Sequence, residues 1–256
     1  MTQSAWLRDI AQDLKIAISF CTRLPIVHSV PAEGGDFARA AWALPLAGAL
    51  VGLIGGLVYV VAQKSGIPWL PAAALSVAAI FIVTGGLHED GLADTADGLG
   101  GGTTPERKLE IMHDSLIGAY GAGALMFSIL LRVAAIANLT SVSVMAALIA
   151  AHAAARATLP LFMWLMPRAR ADGLSAMAGD MSPTSACIAA LLGAVVLALA
   201  LGLGAGVQAL LLLAVVMIGM GWLALHHVGG QTGDILGALE QAGEIAVLLV
   251  AASHHS

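Results

Sequence analysis

MSPTSACIAALLGAVVLALALGLGAGVQALLLLAVVMIGMGWLALHHVGGQTG, residues 181–233, contains no Asp, Glu, Lys or Arg in 53 consecutive positions. A membrane hydrocarbon core is crossed by roughly 20 apolar residues in helical form. The run is too long for one crossing and has the length for two, Ser185–Gly204 and Val207–Leu225, joined by a tight turn in the Gly202–Gly206 region.

The rest of the chain agrees. Of its 256 residues, 59% are hydrophobic and 11% charged, with a mean hydropathy of +0.91. Soluble domains run near ~45–50% apolar and ~25% charged. A soluble globular domain is therefore excluded. A net charge of −5 and a pI near 5.8 exclude a nucleic-acid binder, and the apolar excess excludes a disordered chain. Five further segments have the length and apolarity of spans: Ala41–Ala62, Pro68–Leu87, Ile117–Ala137, Ser143–Met166 and Ile235–Ser253. The expected fold is all-α, a polytopic membrane bundle of about seven transmembrane helices forming a single domain over residues 1–256. Gly48, Gly52 and Gly56 recur every fourth residue and predict close helix packing. Cys21 and Cys187 imply no disulfide framework.

Residues 1–40 form a distinct N-terminal segment. Arg8, Asp9, Asp13 and Lys15 interrupt it, so no cleavable signal is expected. Leu7, Ile10, Leu14, Ala17 and Cys21 recur at helical spacing and predict an amphipathic helix, either lying on a membrane face or packed on the bundle, and ended by Pro25.

Orientation follows from the cations. With the N-terminus in the cytoplasm, Arg8, Lys15, Arg23, Arg39, Arg107, Lys108, Arg168 and Arg170 fall inside and Lys64 alone outside, while Arg132 and Arg156 lie within spans. This topology puts three polar loops, 88–116, 167–184 and 226–234, on one cytoplasmic face, the first of them the expected catalytic loop.

The first of them carries the chemistry. Seven of the 16 acidic residues lie between Glu89 and Asp114. Asp90, Asp94 and Asp97, spaced i, i+4, i+7, share one face of a helix within about 60°. Their mutual repulsion, a few tenths of a kcal/mol per pair, is relieved by a divalent cation, and carboxylate oxygens suit Mg²⁺ or Mn²⁺. Gly98, Gly100, Gly101 and Gly102 end that helix. Glu106, Glu110 and Asp114 form a second acidic face, and His88 and His113 flank the cluster. In the last polar segment Asp234 stands near a helix N-terminus as a cap, a ligand or part of a phosphate site. Glu240, Glu244 and Arg156 are ionisable groups inside spans, where such groups mark function by default or pair between helices; Arg132, near a span end, reads as snorkelling.

The stretch Gly85-Gly-Leu-His-Glu-Asp-Gly-Leu-Ala-Asp-Thr-Ala-Asp-Gly98, followed by Glu106-Arg-Lys-Leu-Glu-Ile-Met-His-Asp-Ser115, resembles the cobalamin synthase (adenosylcobinamide-GDP ribazoletransferase) family. Phe20-Cys-Thr-Arg-Leu-Pro25 and Gly229-Gly-Gln-Thr-Gly-Asp234 extend the resemblance to both ends of the chain. It departs at Glu89, where an apolar residue is common, and at His113 and Leu116, where basic or polar residues are frequent. The resemblance implies a multi-pass enzyme of the inner (cytoplasmic) membrane with its active face in the cytoplasm. It implies Mg²⁺ dependence and the joining of adenosylcobinamide-GDP to α-ribazole or its 5′-phosphate, with release of GMP. Membrane lipid surrounds such a protein, nucleic acid plays no part, and homo-oligomerisation is left open.

The motif carries over His88, Asp90, Asp94, Asp97, Asp114, Gln231, Asp234 and Glu244. The expected roles are Mg²⁺ ligation by Asp90, Asp94, Asp97 and Asp114, and proton acceptance by His88 or, as the alternative, Asp97. Arg156, Gln231, Asp234 and Glu244 are expected to bind substrate. Two other classes compete: a membrane CDP-alcohol-type phosphotransferase, whose acidic motif has a different register and an Arg missing here, and an ion-coupled transporter working through Glu240, Glu244 and Arg156.

Overall fold

The computed structural model describes residues 3–26, 34–141, 143–170 and 178–255. Parts of the N-terminal segment (27–33) and of the 167–184 segment (171–177) lie outside the described residues, as does the Leu7 side chain. Among the described residues the chain is helical, with a single isolated bridge between Arg168 and Gln231. In order come α1 (Gln3–Cys21), α2 (Gly34–Ala40), a 3₁₀ turn (Ala41–Ala43), α3 (Leu44–Lys64), α4 (Trp69–Thr84), α5 (Leu87–Gly101), α6 (Pro105–Met112), α7 (Ala119–Ala137), α8 (Ser143–Leu165), α9 (Pro183–Val228) and α10 (Gly233–His255).

Helices α3, α7, α8, α9 and α10 are long and apolar enough to cross a membrane; α4 reaches that length only together with α5. Helix satisfies every backbone donor and acceptor locally, which lipid requires. The charge-free run forms α9, and at Gly202 its backbone leaves helical geometry (φ 78°, ψ 168°). A straight helix would hold Ala198 and Gly206 about 12 Å apart. Instead, a Cβ on Gly206 would stand 3.3 Å from the Ala198 Cα. The chain folds back on itself there, so the run is two crossing segments, as its length requires.

Helices α8 and α10 occupy the centre. Ala147, Leu148, Ala150, Ala151, Val247 and Leu248 are fully buried. The outer helices turn large apolar side chains outward: Phe81 and Ile82 on α4, Phe127 and Leu130 on α7, Leu199, Leu203 and Ile218 on α9. In water such a surface would drive aggregation; lipid solvates it.

Small residues set the packing of α3 on α8. A Cβ on Gly52 would stand 2.3 Å from the Leu148 carbonyl oxygen, and one on Gly48 2.2 Å from that of His152. The amphipathic N-terminal helix packs on the bundle, with Ala17 and Cys21 buried; it ends at Cys21 rather than at Pro25.

The polar segment 88–116, expected as a loop, is mostly helix: α5 and α6 occupy it. The span expected to run to Leu87 stops at Thr84. Gly85 and Gly86 both take left-handed φ (67° and 70°), and α5 leaves at 91° to α4. That conformation is readily open only to glycine. The chain therefore turns sharply instead of extending α4, and the acidic helix crosses the end of the bundle.

Replacing Gly52 with Leu should force α3 off α8. Thermal unfolding in detergent should show a loss of about 3 kcal/mol or more, against little change for Leu57→Ala on the lipid-facing side.

Candidate active site

Three polar segments meet at one end of the bundle, as the topology predicts. Ala169 N–H donates to the Gln231 carbonyl at 2.9 Å, and Gln231 N–H to the Pro167 carbonyl at 2.8 Å. Arg170 reaches Asp234 at 3.4 Å, and Lys108 reaches His227 at 2.7 Å. Helix α5 is clamped against α10 where Gly91 and Gly237 face each other: a Cβ on Gly91 would stand 2.8 Å from the Asp234 carbonyl oxygen. This crossing carries Asp90 and Asp94 to the N-terminus of α10, where Asp234 stands.

Asp90 is exposed and Asp94 half-buried, and the charges of Asp90, Asp234 and Asp97 act on Asp94. Asp234 accepts from the Thr232 hydroxyl at 3.2 Å as well as from Arg170. Thr232, not Asp234, caps α10: its Oγ1 accepts from Ile235 N–H at 3.2 Å.

Two cavities border Asp90. A narrow one of about 80 Å³ is walled by Phe20, Phe37, Leu44, Leu159 and Met163, with Asp90 and Asp234 at its polar edge. A wide one of about 600 Å³ is bounded by Arg23, Thr84, Asp94, Ser115 and Ile117, with Asp90 again on its rim. The Asp90, Asp94 and Asp234 donors are all carboxylate oxygens, they come from two elements, and they edge open space that leaves room for water and a phosphate. That donor chemistry fits Mg²⁺.

The expected aspartate face exists, but its members have different neighbours along the helix. Asp97 is buried under the start of α7, where its two carboxylate oxygens accept from Gly118 N–H at 2.7 Å and Gly121 N–H at 2.9 Å. It satisfies the free donors of a helix N-terminus, so both of its oxygens have protein partners. Asp114 is exposed in the turn before α7 and accepts from Leu116 N–H at 3.1 Å; its neighbour Ser115, not Asp114, borders the wide cavity.

The remaining expected residues lie deeper. Arg156 is 1% exposed and pairs with Glu240 at 2.5 Å; it also touches His152 at 3.1 Å and His88 at 3.3 Å. Glu244 is 1% exposed and lies 3.4 Å from both Arg132 and His152. Arg132 does not snorkel. It is fully buried and donates to Glu89 at 3.0 Å. Gln231 donates through Nε2 to the carbonyls of Met163 and Met166, both at 3.1 Å, holding the open end of α8. Arg156 and Glu244 thus pair with other protein groups, while Gln231 also borders a further cavity beside Met163 and Arg168 and keeps a buried Oε1 without a hydrogen-bond partner among the described residues. The His88 ring is buried, faces Arg156 and Glu240 through Nδ1, and lines the narrow cavity, its buried Nε2 without a hydrogen-bond partner among the described residues.

Two residues escaped the sequence reading. Glu89 is the buried partner of Arg132, and its signal was present: an acid in a position usually apolar, in a chain with an arginine inside a span. Arg23, exposed on the wall of the wide cavity that Asp90 and Asp94 also line, is held there by its backbone N–H bonded to the Val83 carbonyl at 2.7 Å. Nothing local in the sequence places it near Asp94.

The architecture defines a polytopic helical membrane protein with a carboxylate-edged double cavity at one end. The family model described as cobalamin-5-phosphate synthase matches residues 13–252, and the chain belongs to that family. A relative from Bradyrhizobium diazoefficiens, named adenosylcobinamide-GDP ribazoletransferase, is 55% identical over 250 residues, covering 96% of this chain and 95% of its own. Relatives of the same name from Mesorhizobium japonicum (50% identical, 95% and 94% covered) and Azorhizobium caulinodans (44% identical, 94% and 95% covered) are similar over the same extent. No solved structure matches the chain.

Removing one partner from the buried ion network leaves uncompensated charge. Arg132→Met should lower stability by about 3–5 kcal/mol in detergent unfolding, while Arg107→Met, in an exposed pair with Glu110, should change it by less than about 1 kcal/mol. Asp97→Ala, which strips two donors of α7 of their acceptor, should cost roughly 2–3 kcal/mol by the same measurement.

Proposed function

We propose that this chain transfers the adenosylcobinamide phosphate group from adenosylcobinamide-GDP to α-ribazole or its 5′-phosphate, releasing GMP, at the cytoplasmic face of the inner membrane. The observation that carries this reading is the near-full-length similarity to relatives bearing that name. The cytoplasmic orientation is supported by the cations, eight of which fall on the side of the acidic cluster.

The reaction is a phosphoryl transfer. A ribazole hydroxyl attacks the phosphorus on the cobinamide side of the diphosphate, that phosphorus–oxygen bond to GMP breaks, and GMP carries away the electron pair. Such transfers are accelerated mainly by positioning and by countering charge on phosphoryl oxygens. Asp90, Asp94 and Asp234 would hold Mg²⁺, which when bound neutralises the diphosphate and the leaving oxygen. Arg23 supplies a positive charge on the lining of the wide cavity. Asp234 stands on the narrow-cavity side of Asp90, among the groups that would hold the metal. Arg170 and the Thr232 hydroxyl hold that carboxylate in place. Asp97 keeps the start of α7 against α5, and the buried Arg–Glu network keeps α5 in register with α10.

The CDP-alcohol alternative loses to the family match. The transporter alternative rested on Glu240, Glu244 and Arg156, which pair with protein groups in the bundle interior.

Detergent-solubilised protein given adenosylcobinamide-GDP and α-ribazole should release GMP with Mg²⁺ present, stop with EDTA and resume when Mg²⁺ is restored. Asp90→Asn and Asp94→Asn should each reduce turnover at least about 100-fold without loss of membrane insertion. Full activity in either variant would remove that carboxylate from the metal site.

A further inference from the structure

The two cavities differ in kind, and they touch at Asp90. The narrow one is walled mostly by apolar side chains, and its aromatic side is built by Phe20 and Phe37, whose ring centroids are 4.5 Å apart. Its polar side chains are His88, Asp90 and Asp234. The wide one is more than seven times larger and is lined by a cation, Arg23, as well as by Asp94.

We propose that the narrow cavity binds the aromatic base of the acceptor nucleoside and that the wide cavity receives the diphosphate and corrinoid of the donor. This assignment rests on the transfer reading above. Size decides the first half: a corrin macrocycle has no room beside Phe37 and Met163. Chemistry decides the second. A guanine base carries hydrogen-bonding groups on its edge that the Phe37, Leu44, Leu159 and Met163 walls cannot satisfy, and burying them unpaired is unfavourable. A benzimidazole ring has no exocyclic polar group and fits apolar and aromatic walls. Its ribose then emerges at the Asp90–Asp234 edge, which is where a hydroxyl must stand to meet a phosphorus held between Arg23 and Asp94. The arrangement also gives Phe37 and Met163 a role in specificity, since both border the narrow cavity and neither borders the wide one.

Separate KM values for the two substrates test the assignment. Phe37→Ala and Met163→Trp should each raise KM for α-ribazole roughly tenfold or more, with KM for adenosylcobinamide-GDP within about twofold. Arg23→Ala should do the reverse. A donor KM that rises in Phe37→Ala or Met163→Trp while the α-ribazole KM stays fixed would overturn the assignment. A second measurement needs only wild-type protein and no turnover. A photoreactive azidobenzimidazole ribonucleoside should cross-link to peptides containing Phe37 or Met163; cross-linking confined to the Ser115–Ile117 segment would overturn the assignment. Wild-type protein that releases no GMP would instead refute the transfer reading, so the two failures are distinct.

Discussion

The structure depends on two arginines buried among three glutamates in the interior of an apolar bundle. Arg132 and Arg156 are each 1% exposed, and they face Glu89, Glu240 and Glu244. Any of these charges alone at that depth would be prohibitively unfavourable. Together they are tolerated only in one arrangement of the four helices that carry them, α5, α7, α8 and α10. Attraction between apolar helices in lipid is weakly directional. The ion network supplies the direction: it draws α5, a helix too polar for the bundle core, against α10 and holds it at a defined rotation.

That rotation places the site. With Glu89 turned inward to Arg132, the next residue lies about 100° further round the helix, and Asp90 emerges at the mouths of both cavities. Asp94, one turn on, follows it. Asp97 continues the same face but meets the start of α7, where backbone donors occupy it. One register of carboxylates thus divides into two open groups and one structural cap. The facing glycines of α5 and α10 allow the close approach that brings in Asp234. Catalytic potential and stability are coupled through adjacent residues, Glu89 and Asp90, on a single turn.

Much of this was legible before any coordinates. The charge-free 53-residue run demanded two crossings, and the chain folds back at Gly202. The cation bias put three polar segments on one face, and they meet. The every-fourth glycine pattern of α3 is the surface that packs on α8. The residues carrying the family resemblance, Asp90 and Asp94 among them, edge the cavities. Less legible was which ionisable residue faces substrate and which faces another helix. Glu244 and Gln231 lie in or beside recognisable motifs and Arg156 inside a span, yet groups far away in sequence pair with each of them. Glu89 and Arg132, 43 positions apart, pair by a geometry that no local pattern encodes.

The sequence by itself determined the solvent of this protein, the number and order of its apolar segments, the face on which its charges gather and the carboxylate chemistry of its acidic helix. These follow from composition and from periodicities of a few residues, which local backbone geometry translates directly into structure. Only the tertiary structure decided that Asp90, Asp94 and Asp234 come to one end of the bundle, that Asp97 is a cap, that Arg23 lines the same cavity as Asp90 and Asp94 and that two unlike cavities share one rim. Those relations depend on crossing angles and rotations of helices distant in the chain, set by a buried charge balance and by glycine contacts that exist only once the bundle has closed.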